Sequence, residues 1–262
     1  MHITLPAAKL ARAPAGGAAP APAEAGGRTW HFLARALDRL GLANTGPGRR
    51  ATPLRYVSIH FPKSAGTSLR VQLSERFGRR TLLDYAHDPL ATGSAARAGD
   101  LPRGVRCVHG HFSAWRYDAV PDAFRMTFLR EPVDNLIATY LFWRNYPEHG
   151  NPVHTRFLRE RPALDDFARY EPIRYLMSET YFGGYDMRRL DFVGFHETRA
   201  ADLARLRGLS GLSVDPDVHV NRTQCEPEDR LALAHDRALR ARLAAILAAD
   251  IRFYERQRDR HG

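Results

Sequence analysis

From residue 54 onward the apolar positions fall into short runs separated by helical spacings. Residues 56–60 (Tyr-Val-Ser-Ile-His) read as a first strand. Leu69, Leu73 and Phe77 then recur at helical spacing before Gly78, which ends the helix. Residues 81–84, 105–108 and 124–129 read as further strands. Val133, Leu136, Ile137, Tyr140 and Leu141 mark a long helix that Pro132 begins at its first position, where a missing N–H costs nothing. Helical pieces near 164–167 and 173–181, a strand at 191–195 and a long amphipathic helical region over 228–256 complete the pattern. Strands alternating with helices predict an α/β fold with a mostly parallel sheet covered on both faces. In such sheets ligands sit beyond the C-terminal ends of the strands. Three of these strands end in polar clusters: the loop after residue 60, the segment His109-Gly110-His111, and Arg130. These clusters should converge.

The chain before residue 54 has another character. Residues 1–27 hold ten Ala, four Pro and four Gly and read as a disordered tail. Trp30, Leu33, Leu37 and Leu40 suggest a short helix, and 43–53 a linker. The expected organisation is therefore a tail, 1–53, and one domain, 54–262, a size that suits a single α/β core.

The net charge of +10 is shared with that tail, since residues 1–50 carry seven Lys or Arg against Glu24 and Asp38. This weakens a nucleic-acid reading, as does the lack of zinc-finger spacing or an RNP-like aromatic motif. No apolar run of about 18 residues predicts a membrane span, and the N-terminus lacks the apolar core of a secretory signal. Cys107 and Cys225 stand far apart and read as free thiols in a reducing compartment. A soluble, cytoplasmic protein is expected, with peripheral membrane contact through the basic tail left open.

The chemistry centres on residues 60–68, His-Phe-Pro-Lys-Ser-Ala-Gly-Thr-Ser. A strand end, small residues and a helix start suit an anion, because backbone N–H groups converge where the helix dipole is positive. Of the 39 Lys and Arg residues only Lys9 and Lys63 are lysine. A compact ammonium in this loop fits a phosphate oxygen. A Walker A loop needs its lysine after the last glycine, whereas Lys63 precedes Gly66. No Walker B aspartate follows an apolar strand, since Phe128-Leu129 runs into Arg130. Metal–nucleoside triphosphate chemistry is poorly supported.

His60-Phe-Pro-Lys-Ser-Ala-Gly-Thr-Ser68 resembles the 5′-phosphosulfate loop of PAPS-dependent carbohydrate sulfotransferases, of the branch that includes uronosyl 2-O-sulfotransferases. Phe128-Leu-Arg-Glu-Pro-Val133, followed by Tyr140-Leu-Phe-Trp-Arg144, is similar to that family's 3′-phosphate motif. His109-Gly-His111 matches its H-G-H segment, and Phe192-Val-Gly-Phe-His-Glu197 and Ile251-Arg-Phe-Tyr254 look like later landmarks. The resemblance spans roughly residues 54–258 and implies a P-loop NTPase-like three-layer fold. It implies a bacterial enzyme that moves a sulfuryl group from PAPS to a hydroxyl of a carbohydrate or glycolipid and releases PAP without a metal. Golgi relatives carry a membrane anchor that this sequence does not show.

By the same resemblance, Lys63 would neutralise charge on the leaving PAP. Ser64, Ala65, Gly66, Thr67 and Ser68 would hold the 5′-phosphate through backbone N–H and hydroxyl groups. Arg130, with the helix start at Pro132, would bind the 3′-phosphate. His111 would be the general base, as imidazole suits, with His109 in support. No third ligand makes a metal site of the pair. The family's usual serine eight residues beyond the motif arginine is Ala138 here, so Asn221, Arg222 and Thr223 are candidates to complete cofactor binding. Tyr140, Phe142 and Trp143 read as core or wall, and the arginines over 144–174 could meet an acidic acceptor. Two other readings stay open: a phosphotransferase with an atypical phosphate loop, and a non-catalytic PAP- or glycan-binding protein.

Overall fold

A computed structural model describes residues 55–64, 66–92, 101–215, 217–218, 232–233 and 235–262. The tail, Ala65, Cys225 and the candidates Asn221, Arg222 and Thr223 lie outside the described residues. Five strands form one sheet: β1 (Tyr56–Ile59), β2 (Thr81–Leu83), β3 (Cys107–Gly110), β4 (Phe124–Leu129) and β5 (Phe192–Phe195). Their order is β2-β3-β1-β4-β5, and every pairing is parallel. The fold is α/β with helices flanking a central parallel sheet.

Side-chain alternation divides the strands between two apolar clusters. Val57, Ile59, Val108, Leu129, Val193 and Phe195 face one cluster with Val133, Leu136, Ile137 and Leu141 of helix Pro132–Asn145. Cys107, Met126, Phe128 and Phe192 face the other, with Leu69 and Leu73 of helix Gly66–Phe77 and with Leu203 and Leu206 of helix Arg199–Ser210. Large side chains fully buried in this way, such as Phe195 and Met126, contribute about 1.5–3 kcal/mol each. We label the longer helices α1 (Gly66–Phe77), α2 (Pro132–Asn145), α3 (Pro152–Glu160), α4 (Arg199–Ser210), α5 (Arg237–Ile246) and α6 (Ala248–His261).

Some local expectations change. The third strand lies two residues further on, Cys107–Gly110 instead of 105–108. The helical region expected over 228–256 is not continuous: in its described part it is interrupted at Asp236, which caps Arg237–Ile246, and again at Leu247. There Arg174 Nε donates to the Ile246 carbonyl at 3.2 Å, an outside donor entering the helical ladder. The piece expected over 173–181 is one turn, Glu171–Arg174, followed by a π-helical segment, Leu176–Tyr181. Its start is held by Asp250, whose carboxylate accepts from the Met177 and Ser178 N–H groups at 2.8 Å each. Helices α3 and α4 were not expected, although Asn151-Pro152 and Gly211 mark a start and an end. Asn151 caps Val153 and His154, and Gly211 takes φ 69° at the end of α4.

Candidate functional site

The sheet order brings the three polar strand ends together. β1 lies between β3 and β4, so chain connections leave toward opposite sides at its C-terminal end, where such sheets open a crevice. The loop after β1 is held from behind by two groups from the β4 side. Asn135 of α2 donates its Nδ2 to the Pro62 carbonyl at 2.6 Å. Arg130, at the end of β4, donates Nη1 to the Lys63 carbonyl at 3.1 Å. In a planar trans peptide the N–H points opposite to the C=O. The Lys63 and Ser64 N–H groups are therefore turned away from α2 and Arg130. Lys63 takes φ 55°, a left-handed conformation that costs a non-glycine residue roughly 1–2 kcal/mol. These two side-chain bonds secure it.

Helix α1 starts from this loop with no acidic residue in its first turn. A Cβ on Gly66 would overlap the His60 imidazole, so glycine is required here by close approach. The Ser64 hydroxyl, expected on an anion, donates instead to the Phe61 carbonyl at 2.6 Å and is buried. Ser64 can reach a ligand only through its backbone. Ser68 is buried and Thr67 half-buried at the helix start.

The start of α2 differs. The Glu131 carboxylate accepts from Val133 and Asp134 N–H at 3.0 and 2.8 Å. Arg240 of α5 pairs with Asp134 at 2.6 Å and reaches Glu131 at 3.5 Å. The expected help of this helix start in binding a 3′-phosphate is withdrawn, because its donors already hold a carboxylate. Arg130 remains, 9 % exposed and braced on the loop. Thr139 cannot replace a serine at 138, since its hydroxyl donates to the Asn135 carbonyl at 2.9 Å.

On the β3 side three imidazoles stack. His60 lies 5.0 Å from His109 and 4.3 Å from His111 between ring centroids, with interplanar angles of 26° and 20°. Tyr85 stands edge-on to all three, and its hydroxyl is 3.1 Å from His60 Nδ1. His109 and Ser58 are register partners, and His109 Nδ1 meets the Ser58 hydroxyl at 2.8 Å. Burial holds the His60 pKa well below the usual histidine value, and the repulsion it would meet from a charged His111 or His109, and from Arg70 and Lys63, adds to it. Burial and His111 likewise push His109 down to about 3. Burial also lowers His111, with Lys63 and His149 adding to the effect and Asp88 opposing it.

His111 is therefore neutral near pH 7, and its tautomer is determined. Nδ1 lies 2.7 Å from the His60 carbonyl, which can only accept, so Nδ1 carries the proton. Nε2 then keeps its lone pair, as a general base requires.

Opposite stands an aromatic wall. The Lys63 ammonium sits 3.9 Å above the Phe142 ring centroid. Phe142 stacks on Tyr146 at 4.6 Å, and Tyr146 meets His149 edge-on at 5.1 Å. His149 is oriented from behind by buried His154, whose Nε2 donates to the Trp143 carbonyl. Phe142 is thus wall, whereas Trp143 is core.

Beneath the site, Asp84 accepts from His87, Arg116 and Tyr117 at 2.6–2.7 Å and ties the ends of β2 and β3 together. Burial alone would raise its pKa, but these hydrogen bonds bring it below the usual value. A surface cleft of about 560 Å³ lined by Arg156, Glu160, Arg169 and Tyr170 shares no residue with the site. Its Arg156 pairs with Glu160 at 3.0 Å on the surface. Cys107 is free and buried, its thiol pushed up to about 12 by desolvation, so it is inert. Among the described residues no cluster of three or more His, Cys, Asp or Glu is arranged to hold a metal, and no helix is long and apolar enough to cross a membrane.

The expected residues Lys63, Ser64, Gly66, Thr67, Ser68, His111 and Arg130 thus lie at adjacent strand ends. Sequence reasoning missed Asn135, Tyr85, Asp88, Tyr181 and His149. Only the spacing of Asn135 after Arg130 could have hinted at one of them. No family model matches the chain, and no curated protein matches it. The chemistry is therefore argued from the site.

Proposed function

We propose that this chain is a PAPS-dependent O-sulfotransferase acting on a hydroxyl of a carbohydrate or glycolipid. The observation that carries this reading is a neutral imidazole with its tautomer fixed, His111, beside an anion loop that presents a lysine and an acid-free helix start. The sheet order, with that loop following the central strand, supports a P-loop NTPase-like fold.

The donor set fits a phosphosulfate. Loop carbonyls are turned onto Asn135 and Arg130, so the amides of the same peptides point the other way, and Lys63 and Thr67 add an ammonium and a hydroxyl to the donor set. PAPS, when bound, supplies the sulfuryl group. His111 Nε2 takes the proton of the acceptor hydroxyl as the acceptor oxygen bonds to sulfur. The bond from sulfur to the phosphate oxygen breaks, and its electron pair stays on that oxygen. Lys63 neutralises the charge that develops there. The Phe142–Tyr146 wall suits the ring face of a sugar.

Thermal denaturation with PAP, ADP, or ATP plus Mg²⁺ tests the reading first. Selective stabilisation by PAP is expected, and equal stabilisation by ATP and Mg²⁺ would transfer the assignment to a phosphotransferase. Transfer of ³⁵S from PAPS to an acceptor panel should then fall by roughly 10²–10⁴ in His111→Ala, as for loss of a general base, and further in Lys63→Ala. PAP binding with no transfer to any acceptor would favour a binding protein instead.

A further inference from the structure

Behind His111 stands a second group that none of the expectations included. The Tyr181 hydroxyl lies 3.1 Å from His111 Nδ1, on the same nitrogen that donates to the His60 carbonyl. Because that nitrogen carries a proton, the tyrosine oxygen accepts from it, and its own O–H is left to donate elsewhere. Asp88 Oδ1 is 3.5 Å away in the right sense, at the outer limit of a hydrogen bond, so the carboxylate acts on the line mainly through its charge. Asp88 is itself held by the Leu90 N–H at 2.9 Å and by Asn151 at 3.5 Å.

The placement of Tyr181 is a feature of the fold. It ends the π-helical segment Leu176–Tyr181, in which Thr180 N–H bonds to the Tyr175 carbonyl five residues back. Such segments are uncommon and cluster at functional sites. Tyr181 is fully buried, and its ring packs edge-on to Phe61 at 5.3 Å. Burial, with Asp88 beside it, keeps its phenol well above the usual pKa, so it stays protonated and able to donate.

We propose that Tyr181 and Asp88 are positioning residues for His111: they hold its Nδ1–H tautomer and stabilise the imidazolium that forms when Nε2 takes a proton. The line offsets an otherwise hostile setting. Lys63 from the β1 loop, His60 and His109 in the stack, and His149 after α2 bring no negative charge. Asp88 is the one negative group acting on His111 among its named neighbours. Its relevance to turnover rests on the sulfotransfer reading, but the protonation behaviour does not.

The test is an NMR titration of His111 in the full chain, wild type against Tyr181→Phe and Asp88→Asn, together with pH–rate profiles for ³⁵S transfer. Wild type should show the Nδ1–H tautomer. Both variants should titrate at lower pH than wild type, since each loses support for the charged form. The acidic limb of kcat should move the same way, with the plateau down roughly tenfold and PAP affinity unchanged. Asp88→Asn gives the second reading should Tyr181→Phe fail to fold. An unchanged His111 titration in the folded variants, or an Nε2–H tautomer in wild type, overturns the proposal. Shifted titrations in a protein that transfers no sulfate uphold the line and overturn the sulfotransfer reading alone.

Discussion

Two strand ends in this molecule follow the same local plan, strand, short loop, helix, and become opposite kinds of place. After β1, the loop carbonyls are bound from behind, the first turn of α1 has no acid, and the Lys63 ammonium sits over the Phe142 ring. After β4, the first turn of α2 is closed by its own Glu131, backed by Arg240. Both helix starts carry the same partial positive charge. What differs is that a carboxylate caps the start of α2, whereas the first turn of α1 contains no acidic residue. The β4 end also braces the β1 loop through Arg130.

That contrast can be broken most strongly at Gly66. Gly66→Ala places a methyl group into the stacked His60 ring, and overpacking of this sort costs typically 1–3 kcal/mol. We expect most PAP-dependent stabilisation to vanish in a thermal shift assay. Retention of wild-type PAP affinity by this variant would mean that the β1 loop is not where the anion sits.

The closed end can be opened by Glu131→Ala. Loss of a capping carboxylate should lower stability by about 0.5–2 kcal/mol, and Glu131→Gln, which keeps an acceptor oxygen, should lose less. The freed start of α2 should then show a phosphate-dependent rise in Tm larger than wild type shows. No difference between variant and wild type in phosphate would show that Glu131 is not what closes this end.

The smallest change is expected at Ala138, buried on α2 at 8 % exposure. Ala138→Ser should tighten PAP binding by no more than about 1 kcal/mol, the worth of one hydrogen bond, or leave it unchanged. A clear loss of affinity by calorimetry would put the second phosphate elsewhere than beside α2.

Much of this was legible in the chain itself. Apolar residues located β1 and β4 to within a residue, although Ser58 interrupts the first and Arg125 and Thr127 the second, because the apolar positions still recur on alternate residues. Pro132 marked the start of α2 through its missing N–H. The convergence of Lys63, His111 and Arg130 followed from parallel α/β architecture alone, since every such strand delivers its C-terminal end to one side. Helices α3 and α4 went unread because their apolar spacing is sparse, with Leu203 and Leu206 the main buried positions of α4.

The chain by itself therefore determined an α/β fold, a lysine-bearing loop of small residues after β1 and a histidine at the neighbouring strand end, all properties of local pattern and strand direction. Only the tertiary structure decided that the Ser64 hydroxyl is turned inward, that Glu131 closes α2, and that Tyr181 backs His111 from 70 residues away. Those are outcomes of competition among donors and acceptors brought together by packing. No periodicity records which partner a buried polar group will find, because the choice is made by distance in space and not along the chain.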